Sequence, residues 1–130
     1  MSDLLKTMSL SASGMQAQSN RLRHVSENIA NADTPGYQRK VVAFEPMVTG
    51  GTRSGHVSTG PVQLDTKEPT EIYDPGHPMA GENGFYTGSN VDLMIEIADS
   101  REAQRSYEAN LKMFDQARQM SSSLLDLLRR

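Results

Sequence analysis

The sequence predicts a mainly α fold: long N- and C-terminal helices forming a coiled-coil-like hairpin, with an extended, small-β middle segment. Three observations carry that prediction. Met8, Met15, Leu22 and Ile29 recur every seven residues near the start. Tyr107, Leu111, Phe114, Ala117, Met120, Leu124 and Leu128 follow one another at spacings of three and four near the end. Between them, eight of the ten glycines and five of the six prolines fall between residues 41 and 90. Apolar residues at helical spacing mark one face of a helix, whereas glycine and proline interrupt it. The chain therefore divides into an N-terminal helix, 1–31, an extended segment, 32–89, and a C-terminal helix, 90–130.

The first helix is expected over about 3–31. Its stripe is narrow, because Ser11, Ala12, Gln18, Ser19 and Ser26 stand beside the large residues. Ser2 or Asp3 can cap its start, and Gly14 weakens it by about 1 kcal/mol relative to Ala. Asp33-Thr34-Pro35-Gly36 ends it. Pro35 has no amide donor and pushes Thr34 out of the α region, and Gly36 tolerates positive φ. In the middle, Gln38–Glu45 reads as a strand with Lys40, Val42 and Phe44 on one face. Val62–Leu64 and Glu71–Tyr73 read as short strands. Thr49–Gly55 reads as a flexible loop, and Asp74-Pro75-Gly76-His77-Pro78 as a turn with Pro and Gly in type II positions. The second helix is expected over about 90–129. Ser89 with Asp92 resembles a capping box, and Arg129 and Arg130 suit the negative end of the helix dipole. The terminal helices pair antiparallel in this reading, and the whole middle projects from one end.

Composition narrows the function classes. Only 36% of the 130 residues are hydrophobic and 5% aromatic, with no Trp, so a large independent core is not available. The net charge is −3, from 13 basic and 16 acidic residues, and the basic ones are dispersed, so there is no nucleic-acid footprint. Residues 1–40 carry 5 basic and 3 acidic groups, residues 41–90 carry 2 and 6, and residues 91–130 carry 6 and 7, so the acidic excess is central. The absence of cysteine excludes disulfides, thiolate metal sites and cysteine nucleophiles. No apolar h-region or membrane-length apolar run is visible.

No catalytic, cofactor-binding or metal-binding set is expected. His24 lies off the helix stripe and reads as solvated; His56 and His77 lie in loops without metal-ligand spacing. Asp65, Glu68, Glu71 and Asp74 read as a solvated acidic loop. Gly50-Gly51 and Gly81-Glu82-Asn83-Gly84 match no phosphate loop, and no serine has a nucleophile-elbow context. The Met residues and Ser121-Ser122-Ser123 read as helix packing and a polar face. Helix packing is assigned to Met8, Met15, Leu22, Ile29, Tyr107, Leu111, Phe114, Met120, Leu124 and Leu128. One hairpin leaves apolar surface over, and such stripes mark interaction sites.

Three motifs carry a resemblance. The first is Ser26-Glu27 followed by Asn28, Ile29, Ala30, Asn31, Ala32, Asp33, Thr34, Pro35, Gly36 and Tyr37. The second is Ile72-Tyr73-Asp74-Pro75-Gly76-His77-Pro78, with Gly84-Phe85 and Ser89-Asn90-Val91-Asp92 after it. The third is Ser106-Tyr107-Glu108-Ala109-Asn110-Leu111. The first resembles the bacterial flagellar rod and hook (axial) family, and the other two resemble its proximal rod members. The resemblance spans nearly the whole chain except a loop around residues 48–60. Where other members carry Asn, this chain has His77, which leaves the turn intact.

The resemblance implies a structural subunit, not an enzyme, without cofactor, small-molecule substrate or nucleic-acid partner. It implies export through the flagellum's own type III apparatus without a cleaved signal, and residence in the periplasmic rod of the basal body. There such proteins polymerise with copies of themselves and other rod proteins, next to membrane-ring and rod-adaptor proteins, into a hollow torque-transmitting shaft. The terminal helices line the inner wall and the middle segment packs outside. From this we expect Asn28–Tyr37 to be a subunit interface and Ala32–Phe44 to lie over adjacent subunits as a clamp. Another proximal rod protein, a soluble export-associated helical protein and a small metal-dependent hydrolase stay open as alternatives.

Overall fold

The computed structural model describes residues 2–129. Two helices dominate it: α1, Ser2–Ala30, and α2, Leu93–Leu128. Between them lie β1 (Lys40–Val41), β2 (Phe44–Thr49), β3 (Thr52–Thr59), β4 (Gln63–Leu64), β5 (Glu71–Tyr73) and β6 (Phe85–Thr87). The strands make three separate antiparallel pairs, β1–β4, β2–β3 and β5–β6. At 1.5 Å per residue α1 is about 43 Å long and α2 about 54 Å.

The helices run antiparallel. Gly14 faces Asn110, Arg21 reaches Asp99 and Asn28 reaches Glu96, so rising numbers on α1 meet falling numbers on α2. The seam is not the methionine stripe itself. Met8, Met15 and Leu22 are half-buried and Ile29 is exposed; the buried line is Ser11, Gln18 and Val25, three residues after each of the first three. On α2 the line is Glu96, Ala103 and Ala117, with half-buried Asn110 completing the seven-residue recurrence and Tyr107 and Phe114 half-buried beside it. Small and polar residues occupy the seam because the backbones come close there. A Cβ on Gly14 would sit 2.8 Å from Asn110 Nδ2, so this glycine makes room for a neighbour as well as weakening its own helix.

The two-residue turn Gly50-Gly51, with φ of 60° and 81°, closes β2 on β3. Positive φ at both central residues is the hairpin turn that matches strand twist, so the expected flexible loop is an ordered tip. The hairpin does not project from the helix end; it folds back along α1. Ser13 Oγ accepts from the Val57 amide at 3.2 Å, Asn20 Nδ2 donates to Thr59 Oγ1 at 3.1 Å, and Ser9 Oγ and His56 Nε2 share a hydrogen bond of 2.7 Å. The expected strand over 38–45 is split between β1 and β2. At 74–77 the His77 amide bonds to the Asp74 carbonyl at 3.0 Å, but Gly76 has no positive φ, so this is not a type II turn. That geometry occurs instead at Thr34-Pro35-Gly36-Tyr37, where Gly36 has φ 73° and the Tyr37 amide bonds to Thr34 O at 3.2 Å.

The helix starts also differ. Asp92 alone is the N-cap of α2, its carboxylate accepting from the Met94 amide at 3.0 Å. Ser89 is buried; its hydroxyl donates to the Ala32 carbonyl, across the two helix ends. Ser2 and Asp3 lie within α1. Arg129 is the C-cap of α2, and the expectation for Arg130 falls outside the described residues.

Candidate subunit interface and the polar junction behind it

Where α1 ends and α2 begins, the middle segment is tied to both by one connected set of polar groups. Asn28, 1% exposed, fills all four of its hydrogen-bonding positions. Its Nδ2 donates to Lys40 O at 2.9 Å and Glu96 Oε2 at 3.2 Å, and its Oδ1 accepts from the Lys40 amide at 2.8 Å and Tyr37 OH at 2.9 Å. Glu96, 0% exposed, receives Arg39 Nε at 2.6 Å on its other oxygen. The same guanidinium reaches Asp65 Oδ2 at 3.0 Å and Asp99 Oδ2 at 3.4 Å. Arg21 continues the chain to Asp99 at 3.3 Å and Glu102 at 3.5 Å.

Asn90 closes the junction from the other side. It accepts the Arg39 amide at 2.7 Å and donates to Asp65 O at 2.8 Å and Lys67 O at 3.0 Å. The Gly36 amide bonds to Gly88 O at 3.1 Å, and the Asn90 amide to Tyr37 O at 3.2 Å. The two sequence motifs Asn28–Tyr37 and Ser89–Asp92 are therefore halves of one structure.

The charges are matched in space. Burial works against the Arg39 charge, but the hydrogen bonds it donates to Glu96 and Asp65 outweigh it and hold the guanidinium above its ordinary pKa. The Lys67 backbone N–H, then Arg39, holds the Asp65 carboxyl below its ordinary value. Lys40 Nζ meets Glu27 Oε2 at 2.8 Å, which raises the lysine and lowers the glutamate. Burial raises the Tyr37 phenol.

The motif Asn28–Tyr37 thus has two sides. Asn28, the Ala32 carbonyl, the Gly36 amide and Tyr37 bond inward. Asn31 turns its amide group onto Glu27 O at 2.8 Å and accepts from Thr34 at 3.1 Å, finishing the helix locally. Pro35 is half-buried, whereas Ile29, Ala30, Asp33 and Thr34 are exposed and free to face a neighbour. Tyr37 to Lys40 packs on its own chain rather than reaching away from it.

The residues assigned to helix packing separate in the same way. Met8, Met15, Leu22, Tyr107 and Phe114 are half-buried along the seam. Leu111, Met120, Leu124 and Leu128 lie outside it, with Met120 52% and Leu128 79% exposed, because the α2 seam runs through Glu96, Ala103, Asn110 and Ala117. α2 carries further exposed apolar residues at both ends: Leu93, Met94, Ile95 and Ile97 at its start, Leu125 and Leu127 at its end.

Two side chains read as solvated, His24 and Asp65, are not. His24 is buried, its Nδ1 3.8 Å from Glu27 Oε2 and without a hydrogen bond. Asp65 is half-buried against Arg39, and His77 stacks on Tyr86 with ring centroids 3.9 Å apart. Arg39, Glu96 and Asp99 gave no local signal, since the partners of their side chains lie 26 to 78 residues away along the chain. Among the described residues no group of His, Asp or Glu is placed to hold a metal ion, and no helix is long and apolar enough to cross a membrane.

Comparison with known proteins points one way. Residues 8–38 match the family model for flagella basal body rod protein, and residues 82–127 match the one for the C-terminal region of flagellar basal body rod FlgEFG proteins. The chain is 42% identical to the flagellar basal-body rod protein FlgC of Agrobacterium fabrum, over 99% of this chain and 98% of that one. It is 32% identical to FlgC of Salmonella typhimurium, over 95% and 97% of the two chains. It is 34% identical to FlgC of Aquifex aeolicus, over 88% and 89%.

Proposed function

The chain belongs to the flagellar basal-body rod protein family, and on that premise we propose that it is a structural subunit of the proximal rod whose core is completed by its neighbours. It is not an enzyme. The observation that carries the reading is how little apolar surface the single chain covers. Among the described residues the buried apolar side chains are Ala17, Val25, Ala103 and Ala117, three of them alanines. Leucine, isoleucine and methionine side chains stand exposed along α2 instead. Ordering about 1–2 kcal/mol of backbone entropy per residue needs more burial than that seam supplies. Neighbouring subunits supply it.

In this reading α1 and α2 form a coiled-coil pair, favoured by the seven-residue recurrence on both seams. The partners are copies of the chain and other rod proteins, with ring and adaptor proteins at the base. The chain leaves the cytoplasm through the type III export apparatus without a cleaved signal and sits in the periplasmic rod. Torque passing along the shaft would shear the middle segment from the helices; the Arg39 junction, which ties β1, the 65–67 loop and α2 together, opposes that.

Complementation tests the reading. A strain lacking this chain should be non-motile, and restoring it should restore motility, with the chain recovered in isolated basal bodies. Full motility without the chain, or basal bodies that never contain it, would overturn the proposal.

A further inference from the structure

We propose that the β5–β6 face of one copy docks on a second copy through Tyr73, seated in the cleft beside His24. The inference rests on the rod-subunit reading and names one anchor through which copies meet. In β5 and β6, Glu71 opposes Thr87 and Tyr73 opposes Phe85, so these four side chains share one face of the sheet. That face is open: Tyr73 is 65% exposed, and Glu71, Phe85 and Thr87 are exposed with it. The Tyr73 ring is nevertheless held. It meets the edge of Phe85 with ring centroids 5.1 Å apart, and a Cβ on Gly84 would sit 2.7 Å from its Cε2. An exposed aromatic ring fixed in place is a pre-organised anchor, since little side-chain freedom remains to lose on docking. Carboxylates flank it. Glu71 accepts from Thr87 Oγ1 at 3.2 Å, and neither Glu71 nor Asp74 enters an ion pair among the described residues. No Lys or Arg occurs from residue 68 to residue 100.

The cleft that fits this anchor lies between α1 and the start of the middle segment. Its volume is about 330 Å³, room for an aromatic side chain. Val25, Val41, Val42 and Phe44 form its apolar wall. Arg21, His24, Arg39 and Lys40 line it as well, against the single carboxylate of Asp99. Two of these cations keep donors to spare. Lys40 has three N–H donors and gives one to Glu27, and Arg21 engages Asp99 and Glu102 through Nη2. His24 is buried, and its Nδ1 has no hydrogen bond. A buried nitrogen without a partner in a cleft wall marks a missing polar neighbour. A phenol both donates and accepts, so Tyr73 serves the imidazole in either tautomer. Glu71 and Asp74 then fall beside Lys40 and Arg21. Tyr73 does not line this cleft in its own chain, so the occupant comes from outside it. A second copy brings the ring and the carboxylates together. Face and cleft are different surfaces of identical chains, so the contact is heterologous and propagates rather than closing as a two-fold dimer.

The cysteine-free chain permits a direct test. Thr87→Cys, on the Tyr73 face, and Val42→Cys, in the cleft wall, are introduced in separate full-length chains, co-expressed, and treated with a short bismaleimide in isolated basal bodies. The mixed pair should cross-link, and neither variant should cross-link with itself. Adding Tyr73→Ala to the Thr87→Cys chain should lower the yield about 10-fold or more, the loss an interface anchor gives, and Tyr73→Phe, which keeps the ring, should lose less. Glu71→Lys with Asp74→Lys on the same chain should also lower it, because lysines would then face Lys40 and Arg21. An unchanged yield with Tyr73→Ala, self-cross-linking of Thr87→Cys, a product with a different rod protein in place of a second copy, or no product in basal bodies that contain both variants would overturn the contact and leave the rod-subunit reading standing. Basal bodies without the chain would overturn both.

Discussion

Replacing Arg39 with Met keeps the aliphatic stem and removes the charge that three carboxylates share. Glu96, with no exposure, is left with only the Asn28 amide at 3.2 Å in place of Arg39 Nε at 2.6 Å. Unpairing a buried charge costs about 3–5 kcal/mol. Asp65 and Asp99 are partly exposed, and each lost pair adds at most about 1 kcal/mol. Glu96→Gln is milder and fails for a different reason. Both Glu96 oxygens accept hydrogen bonds, whereas Gln offers one acceptor and one donor, so either Arg39 or Asn28 meets a donor; the expected cost is about 1–3 kcal/mol. Arg39→Met with Glu96→Leu removes both buried charges, and a hydrophobic replacement of a buried pair is often neutral. The double variant should therefore recover much of the loss, with a coupling of about 1–3 kcal/mol. The assay is denaturant unfolding followed by far-UV ellipticity, at a fixed concentration where the chain has associated and its helices are formed, with sucrose present to strengthen burial. A loss below about 1 kcal/mol for Arg39→Met, or a strictly additive double variant, would refute the buried-pair reading.

Four further outcomes follow from the same geometry. Gly36 holds φ 73° and a Cβ there meets nothing within 4 Å, so the cost of substitution is backbone strain alone. Gly36→Val should lose about 1–2 kcal/mol and reduce swarming more than Gly36→Asn, and equal swarming would contradict this. Gly14→Ala should destabilise the chain despite better helix propensity, because its Cβ meets Asn110 at 2.8 Å, and adding Asn110→Ala should reverse the sign. Thermal midpoints should fall at both pH extremes. Asp65 and Glu27 have lowered folded pKa values, so their stabilisation is present above the ordinary carboxylate pKa and lost as pH falls through the folded one. Lys40 and Tyr37 are raised, so theirs is lost as pH climbs through about 10 and beyond, and Asp65→Asn should flatten the acid limb only. Leu124→Ser with Leu128→Ser, both at exposed positions, should leave the far-UV ellipticity of the dilute chain unchanged and abolish incorporation into basal bodies.

Periodicity and breakers made the long elements legible. Both helices end within about three residues of the sequence boundaries, because Thr34-Pro35-Gly36 at one junction and Asp92 at the other act locally. The seam was displaced by three residues because the large residues announce themselves, whereas the residues most fully covered include the small Ser11, Ala17 and Ala103. The Gly50-Gly51 tip reads as a flexible loop from its composition, and pairing of Thr49 with Thr52 makes it a hairpin turn instead. Arg39 and Glu96 were invisible for a simpler reason. Each is an ordinary charged residue in its own neighbourhood, and 57 residues separate them. The motif Asn28–Tyr37 was legible as a unit, but its division into inward-bonding Asn28 and Tyr37 and outward Ile29 and Asp33 needed coordinates.

The claim that assembly completes this chain's core is tested most directly by the helicity of the purified chain across concentration. Far-UV ellipticity of the dilute monomer should fall well below what α1 and α2 require, 29 and 36 residues, and rise as the chain associates. Full helicity, unchanged on dilution, would contradict it.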